Sequence, residues 1–150
     1  MLRAARFRRI RMRNGSMLSD ERIKFRNIIF DYARETYGTE PEYLWEKTPD
    51  TAVLRHSSNK KWYAAVLDVR RDKLGLKGDG VVDILDVKCD PMLIGSLIEK
   101  DGYCRAYHMN KEKWITIILD GTVPNEEIFG LIDLSYELTD VKRKKKRSDT

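Results

Sequence analysis

Tyr107, His108, Asn110, Lys111, Lys113 and Trp114 fall within the single run Ala106-Tyr107-His108-Met109-Asn110-Lys111-Glu112-Lys113-Trp114, just ahead of an apolar, strand-like stretch. The run brings together a phenol, an imidazole, a carboxamide, two ammonium groups and an indole. An imidazole can act as a general base. Ammonium groups suit phosphates and a carboxamide suits a base edge. An indole can stack on an unpaired base. The same residues would also serve as the joint of a small sheet, with solvated lysines at a turn and an indole filling the core.

Catalysis has little to build on. His56 and His108 are the only imidazoles; Asp68, Asp83 or Asp86 could orient one, and Cys89 or Cys104 could act as a nucleophile. The chain has no nucleophile elbow, phosphate-binding glycine loop or paired-carboxylate motif, so no catalytic residues and no cofactor are expected. Asp83, Asp86 and Asp90 offer oxygen ligands for a hard cation. Asp83 and Asp86 lie three apart on a strand and so face opposite sides, which leaves no metal site.

The charge distribution bears on nucleic-acid binding. The chain has 150 residues and a formal net charge of +5. Residues 1–16 carry six arginines and no acid, and residues 140–150 carry six bases against Asp140 and Asp149. The two tails therefore hold +10, and the middle, 17–139, is −5. Within that acidic middle, 55–77 holds seven bases (Arg55, Lys60, Lys61, Arg70, Arg71, Lys73, Lys77) against two acids, and 105–113 holds three against one. If these two segments meet in space, the domain is bipolar and can bind a polyanion despite its negative total.

These groups must be positioned by a domain that the patterning divides into three parts. Residues 1–16 read as a flexible basic arm or a non-native start upstream of Met17, with a transit peptide as a minor alternative. Residues 17–139 form a single domain, and 140–150 a disordered basic tail. Asp20 and Glu21 suit a helix N-terminus, Phe25, Ile28, Ile29, Tyr32 and Ala33 repeat at helical spacing, and Gly38 can end the helix. Thr51–His56, Lys61–Val69 and Val81–Val87 read as strands, the first two joined by the polar link Ser57-Ser58-Asn59-Lys60 and the last preceded by Lys77-Gly78-Asp79-Gly80. Asp90-Pro91 starts a short helix that buries Leu93, Ile94, Leu97 and Ile98. Cys104–His108 and Trp114–Leu119 are two further strands. Asp120-Gly121 then leads into a last helix with Ile128, Leu131, Ile132 and Ser135 on one face. The order α-β-β-β-α-β-β-α, with no long crossover between consecutive strands, predicts a two-layer α+β fold: a largely antiparallel five-stranded sheet with three helices.

Several short motifs occur in a fixed order. They are Tyr43-Leu44-Trp45 before a proline turn, Val53-Leu54-Arg55-His56, Lys60-Lys61-Trp62-Tyr63 and Lys73-Leu74-Gly75-Leu76. Val87-Lys88-Cys89-Asp90-Pro91, Tyr107-His108-Met109-Asn110-Lys111 with Trp114, and Leu134-Ser135-Tyr136-Glu137-Leu138 complete the series. In this order the chain resembles the MmcQ/YjbR family of small bacterial proteins over roughly 41–138. The resemblance implies a fold like that of the bacterial frataxin homologue or the type III secretion chaperones. It also implies a double-wing DNA-binding role with β-hairpins as the wings, and no enzyme activity.

On that analogy the nucleic-acid contacts would be Arg55, Lys60, Lys61, Lys88, His108, Asn110, Lys111 and Lys113, with Trp62 and Trp114 available for stacking. Duplex DNA is then the expected partner. The rings of Tyr43, Trp45, Trp62, Tyr63, Tyr103, Tyr107 and Trp114 keep open a chaperone-like protein or peptide partner, and a small-molecule or metal ligand is a further alternative. The chain is expected to be a monomer or weak homodimer. With no apolar run near the roughly 20 residues that span a bilayer, and two cysteines at no metal-ligand spacing, no membrane partner and a cytoplasmic location are expected.

Overall fold

The computed structural model describes residues 10–11 and 17–140. The expectations for the basic arm and tail fall mostly outside the described residues. The exception is a two-stranded ribbon in which β1 (Ile10–Arg11) pairs antiparallel with β2 (Met17–Leu18).

From Ser19 onward the predicted order holds. The elements are α1 (Asp20–Tyr37), β3 (Ala52–Arg55), β4 (Trp62–Arg70), β5 (Val81–Lys88), α2 (Pro91–Leu97), β6 (Tyr103–Arg105), β7 (Trp114–Ile118) and α3 (Asn125–Leu138), with a 3-10 turn at Arg71–Leu74. The five long strands form one antiparallel sheet in the order β3-β4-β5-β7-β6. The helix ends follow local chemistry. The Ser19 hydroxyl accepts from the Arg22 amide, and Gly38 closes α1 at φ 68°, a conformation that costs glycine little. The Asp90 carboxylate accepts from the Met92 amide at 2.9 Å, with Pro91 in the first turn of α2.

The two faces of the sheet are covered differently. Leu54, Ala64, Val66, Leu85, Val87, Ile115 and Ile117 face the helices and join Ile29, Phe30, Ala33, Ile128, Leu131 and Ile132 in the main core. Val69, Val82, Ile84 and Ile118 project the other way, beside Leu67 of β4 and Cys104 of β6, and Leu74, Leu76 and Tyr107 pack against them. Loops, not helices, close that second face.

Three local expectations need correction. The buried stripe of α1 is Arg26, Ile29, Phe30 and Ala33, so Phe25, Ile28 and Tyr32 lie at its margins. The helix is rotated to bring an arginine inward, toward an acid on β5. In α2, Ile94 and Leu97 are buried while Leu93 is exposed. Strand β6 stops at Arg105, and His108 sits beyond it in a loop at φ 64°, a backbone state in which a β-carbon is crowded.

Candidate functional site

Antiparallel register decides which loops meet. Arg55 lies opposite Trp62, Ala64 opposite Val87, Lys88 opposite Trp114, and Arg105 opposite Ile115. The β3–β4 turn, the end of β5 and the β6–β7 loop therefore leave the sheet at one end. Lys60, Lys61, Lys88, Asn110, Lys111 and Lys113 all belong to this end. The remaining bases of the 55–77 segment, Arg70, Arg71, Lys73 and Lys77, lie at the opposite end of β4. Nine residues at about 3.3 Å per residue make that separation roughly 30 Å. The two basic segments thus meet only in part.

The turns are built by side chains that bond their own backbone. Asn59 Oδ1 accepts from the Lys61 amide at 2.7 Å, and Asn59 Nδ2 donates to the Thr139 carbonyl at 3.0 Å. Lys60 then adopts φ 65°, and both lysines are exposed. In the other loop Asn110 Oδ1 accepts from the Glu112 amide at 2.8 Å, so the exposed Asn110 of the predicted base-edge contact has its carbonyl oxygen used in the turn. Lys111 Nζ donates to the Ala106 carbonyl at 3.0 Å. Lys60, Lys61, Lys111 and Lys113 are exposed and form no ion pair among the described residues. Arg105, Lys111 and Lys113 also line a groove of about 330 Å³ against Ile94 of α2 and Ile98 just past its end.

The other predicted contacts have different surroundings. Arg55 is held by Glu42 through two hydrogen bonds of 2.9 and 2.7 Å, so its charge is already matched. Lys88 is half-buried, and its amide donates to Ser135 Oγ at 2.9 Å. Trp114 is half-buried, and its amide donates to the Asn110 carbonyl at 3.0 Å. Trp62 meets Trp45 edge to face at 5.6 Å between ring centroids. Trp62 and His108 both line a cavity of about 270 Å³ on the loop-covered face, together with Trp45, Thr48, Thr51, Ala65, Leu67, Asp86 and Met109. His108, expected among the nucleic-acid contacts, and Trp62, expected to be available for stacking, therefore line a concavity of their own.

The buried titratable groups sort by the two faces of the sheet. Asp83 faces the helices and is gripped by Arg22 and Arg26. Burial alone would raise its carboxyl; the two guanidinium groups outweigh that and hold it below the usual carboxylate range. Asp86 faces the loops and accepts a short hydrogen bond from Thr116 Oγ1. Burial pushes its carboxyl up to about 7, against the lowering effects of Thr116, the Tyr107 amide and Lys111. His56 is buried between Tyr63 and Tyr136, with Nε2 at 2.8 Å from Thr139 Oγ1, and burial lowers its imidazole. Burial raises the thiols of Cys89 and Cys104, making them poor nucleophiles. Among the described residues no three His, Cys, Asp or Glu side chains are grouped to hold a metal ion. Among the described residues no helix is long and apolar enough to cross a membrane.

Sequence reasoning weighed Asp86 as a metal ligand or as a carboxylate orienting a histidine, and Trp45 as an interface ring. The available signal was an acid inside the β-branched run Val81–Val87, where a charged side chain must be satisfied or perturbed.

Residues 34–138 match the family model described as YjbR. The YyaQ protein of Bacillus subtilis strain 168 is 48% identical over 114 residues, covering 76% of this chain and 97% of that protein. The YjbR protein of Escherichia coli K12 is 35% identical over 54 residues, 35% of this chain and 46% of that protein. Among solved structures, a crystal structure of a Pseudomonas syringae protein superposes with a TM-score of 0.74 at 50% identity, covering 76% of this chain and 97% of the other. A crystal structure of the Deinococcus radiodurans protein DR2400 superposes with a TM-score of 0.57 at 25% identity, covering 78% and 83%.

Proposed function

The chain belongs to the YjbR family, and from that premise we propose that it is a non-enzymatic DNA-binding domain that meets the duplex with the basic end of its sheet. One observation carries the reading: Lys60, Lys61, Lys111 and Lys113 stand exposed on two turns at the same end of one sheet, in no ion pair among the described residues, with Lys111 bonded only to a backbone carbonyl. Four ammonium groups so placed can contact phosphates without first breaking an internal ion pair. Asn110, its carbonyl oxygen already used in the turn, has its amide nitrogen left to donate at a base edge. Arg55 contributes least, because Glu42 must be displaced before it can bind. A cytoplasmic setting, in which Cys89 and Cys104 stay reduced thiols, goes with this reading.

The test is fluorescence anisotropy of a labelled duplex with the full chain over a range of salt. Replacing Lys60, Lys61 and Lys113 together by Ala should weaken binding and flatten the salt dependence by up to about 0.9 of slope per lost phosphate contact. Replacing Arg70, Arg71 and Lys73 by Ala removes the same charge from the opposite end and should change little. Equal effects of the two triple variants would mean that net charge alone governs binding, and the proposal would be wrong.

A further inference from the structure

The 270 Å³ cavity on the loop-covered face has a feature the DNA reading does not use. Its walls are Trp45, Trp62, Leu67, Ala65, Met109 and His108, so it is largely apolar and aromatic. Its floor holds one carboxyl group. Asp86 is 1% exposed, and its Oδ1 is taken by Thr116. Its Oδ2 is buried with no hydrogen-bond partner. A buried, unpartnered carboxylate oxygen is costly, and native interiors seldom leave one without a counterpart.

The surroundings do not supply that counterpart. Thr116 Oγ1 accepts from the Tyr107 amide at 2.9 Å and gives its single proton to Oδ1. The Lys111 ammonium is tied to the Ala106 carbonyl. Cys104, across the β6–β7 pairing, presents a thiol whose ionisation Asp86 opposes. Tyr107 and His108 lie ring against ring at 4.1 Å. At the mouth, Trp45 is 40% exposed on its loop and meets the edge of Trp62. Aromatic faces beside a buried carboxylate attract a positive charge from two sides, through the ring quadrupoles and through the carboxylate. A carboxylate ligand would be repelled by Asp86, and a neutral apolar one would leave Oδ2 without a donor. The volume lies near the lower limit for ligand sites, roughly 300 Å³, so the occupant is compact.

We propose that this cavity binds a small aromatic organic cation, a primary amine or similar base, with Asp86 Oδ2 accepting its N–H and Trp45 and Trp62 enclosing its ring. The site lies on the loop-covered face, and the inference is independent of DNA binding at the lysine-bearing turns.

The test uses the full chain and three matched probes: 2-phenylethylamine, 2-phenylethanol and 3-phenylpropionate. Binding is followed by NMR on the indole N–H signals of Trp45 and Trp62, with Trp114, outside the cavity lining, as the internal control. The amine should shift the first two signals saturably and bind at least tenfold more tightly than the alcohol, and the carboxylate should not bind. Amine affinity should fall several-fold from pH 8 to pH 6, because Asp86 must give up a proton to pair with the cation. His108 also lines the cavity. D86N, which cannot ionise, should lose the decline if Asp86 is its source. D86N should also lose the preference for amine over alcohol while still binding the alcohol, which shows that the cavity is intact. If D86N does not fold, the order of the three probes on the native chain still decides. Equal binding of amine and carboxylate, shifts confined to Trp114, or binding by none of the three would overturn the proposal.

Discussion

The guanidinium of Arg26 donates from Nε and Nη2 to the two oxygens of Asp83, each at 3.0 Å, and both side chains are only 1% exposed. One turn earlier on α1, Arg22 adds bonds of 3.0 and 2.7 Å to the same carboxylate. Two cations on the helix thus converge on one anion in the strand at the centre of the sheet. This clamp fixes the rotation of α1 over the sheet and explains why the buried stripe of α1 is displaced from its most apolar one.

Removing Asp83 should be far more damaging than its place in a β-branched strand suggests. Asp83→Ala leaves the Arg26 charge buried and unpaired, a loss of about 3–5 kcal/mol by comparison with other broken buried pairs. The pH dependence has a definite sign. The folded carboxyl lies below its unfolded value near 4, so the stabilisation is present above that value and is lost as pH falls through the folded one. Urea unfolding at pH 7 and pH 3 should show the wild type weakening far more than Asp83→Ala.

Asp86 should behave in the opposite way. Its folded carboxyl is raised to about 7, so the folded state holds a proton that the unfolded chain releases near pH 4. Stability contributed by this group therefore declines as pH rises from about 4 to 7, then levels off. Asp86→Asn, which cannot ionise, should remove that decline. Denaturation curves of the two proteins at pH 5 and pH 8 would check it, and parallel pH profiles would refute the assignment.

The His56–Thr139 contact should tie the basic end to α3. Thr139→Val keeps the shape but leaves His56 Nε2 without its partner in a buried ring cluster, a cost of about 1–3 kcal/mol. Burial holds the imidazole below its unfolded value near 6.5. That contribution to stability is full above pH 6.5 and lost as pH falls through the folded value. Titration of the His56 ring protons by NMR should show a midpoint below the ordinary imidazole value near 6.5.

Gly102 should not tolerate a side chain. Its φ is 94°, and an added β-carbon would stand 2.5 Å from Val123 Cγ2, while its carbonyl accepts from the Ile118 amide at 2.8 Å. Gly102→Ala combines backbone strain with overpacking, each about 1–3 kcal/mol. Gly80→Ala, with a similar φ of 93° but open space around it, carries only the strain. The difference between their unfolding free energies isolates the clash.

Local rules made most of the architecture legible. The alternation in Val81–Val87, the Asp90-Pro91 helix start and the glycine after Tyr37 each act within a few residues, and each element formed where they pointed. The alternation also put Asp83 and Asp86 on opposite faces, as spacing alone requires. Of the candidate site, the lysine-bearing turns were readable, because Asn59 and Asn110 shape their own loops through bonds two residues away. Tertiary packing decided everything that depends on partners far along the chain. It set Arg26 on Asp83 across 57 positions, paired Arg55 with Glu42, and turned Trp62 and His108 away from the lysines into a shared cavity. It also left one oxygen of Asp86 unanswered, since whether a buried polar atom finds a partner depends on which loops close over it, and sequence spacing does not encode that closure.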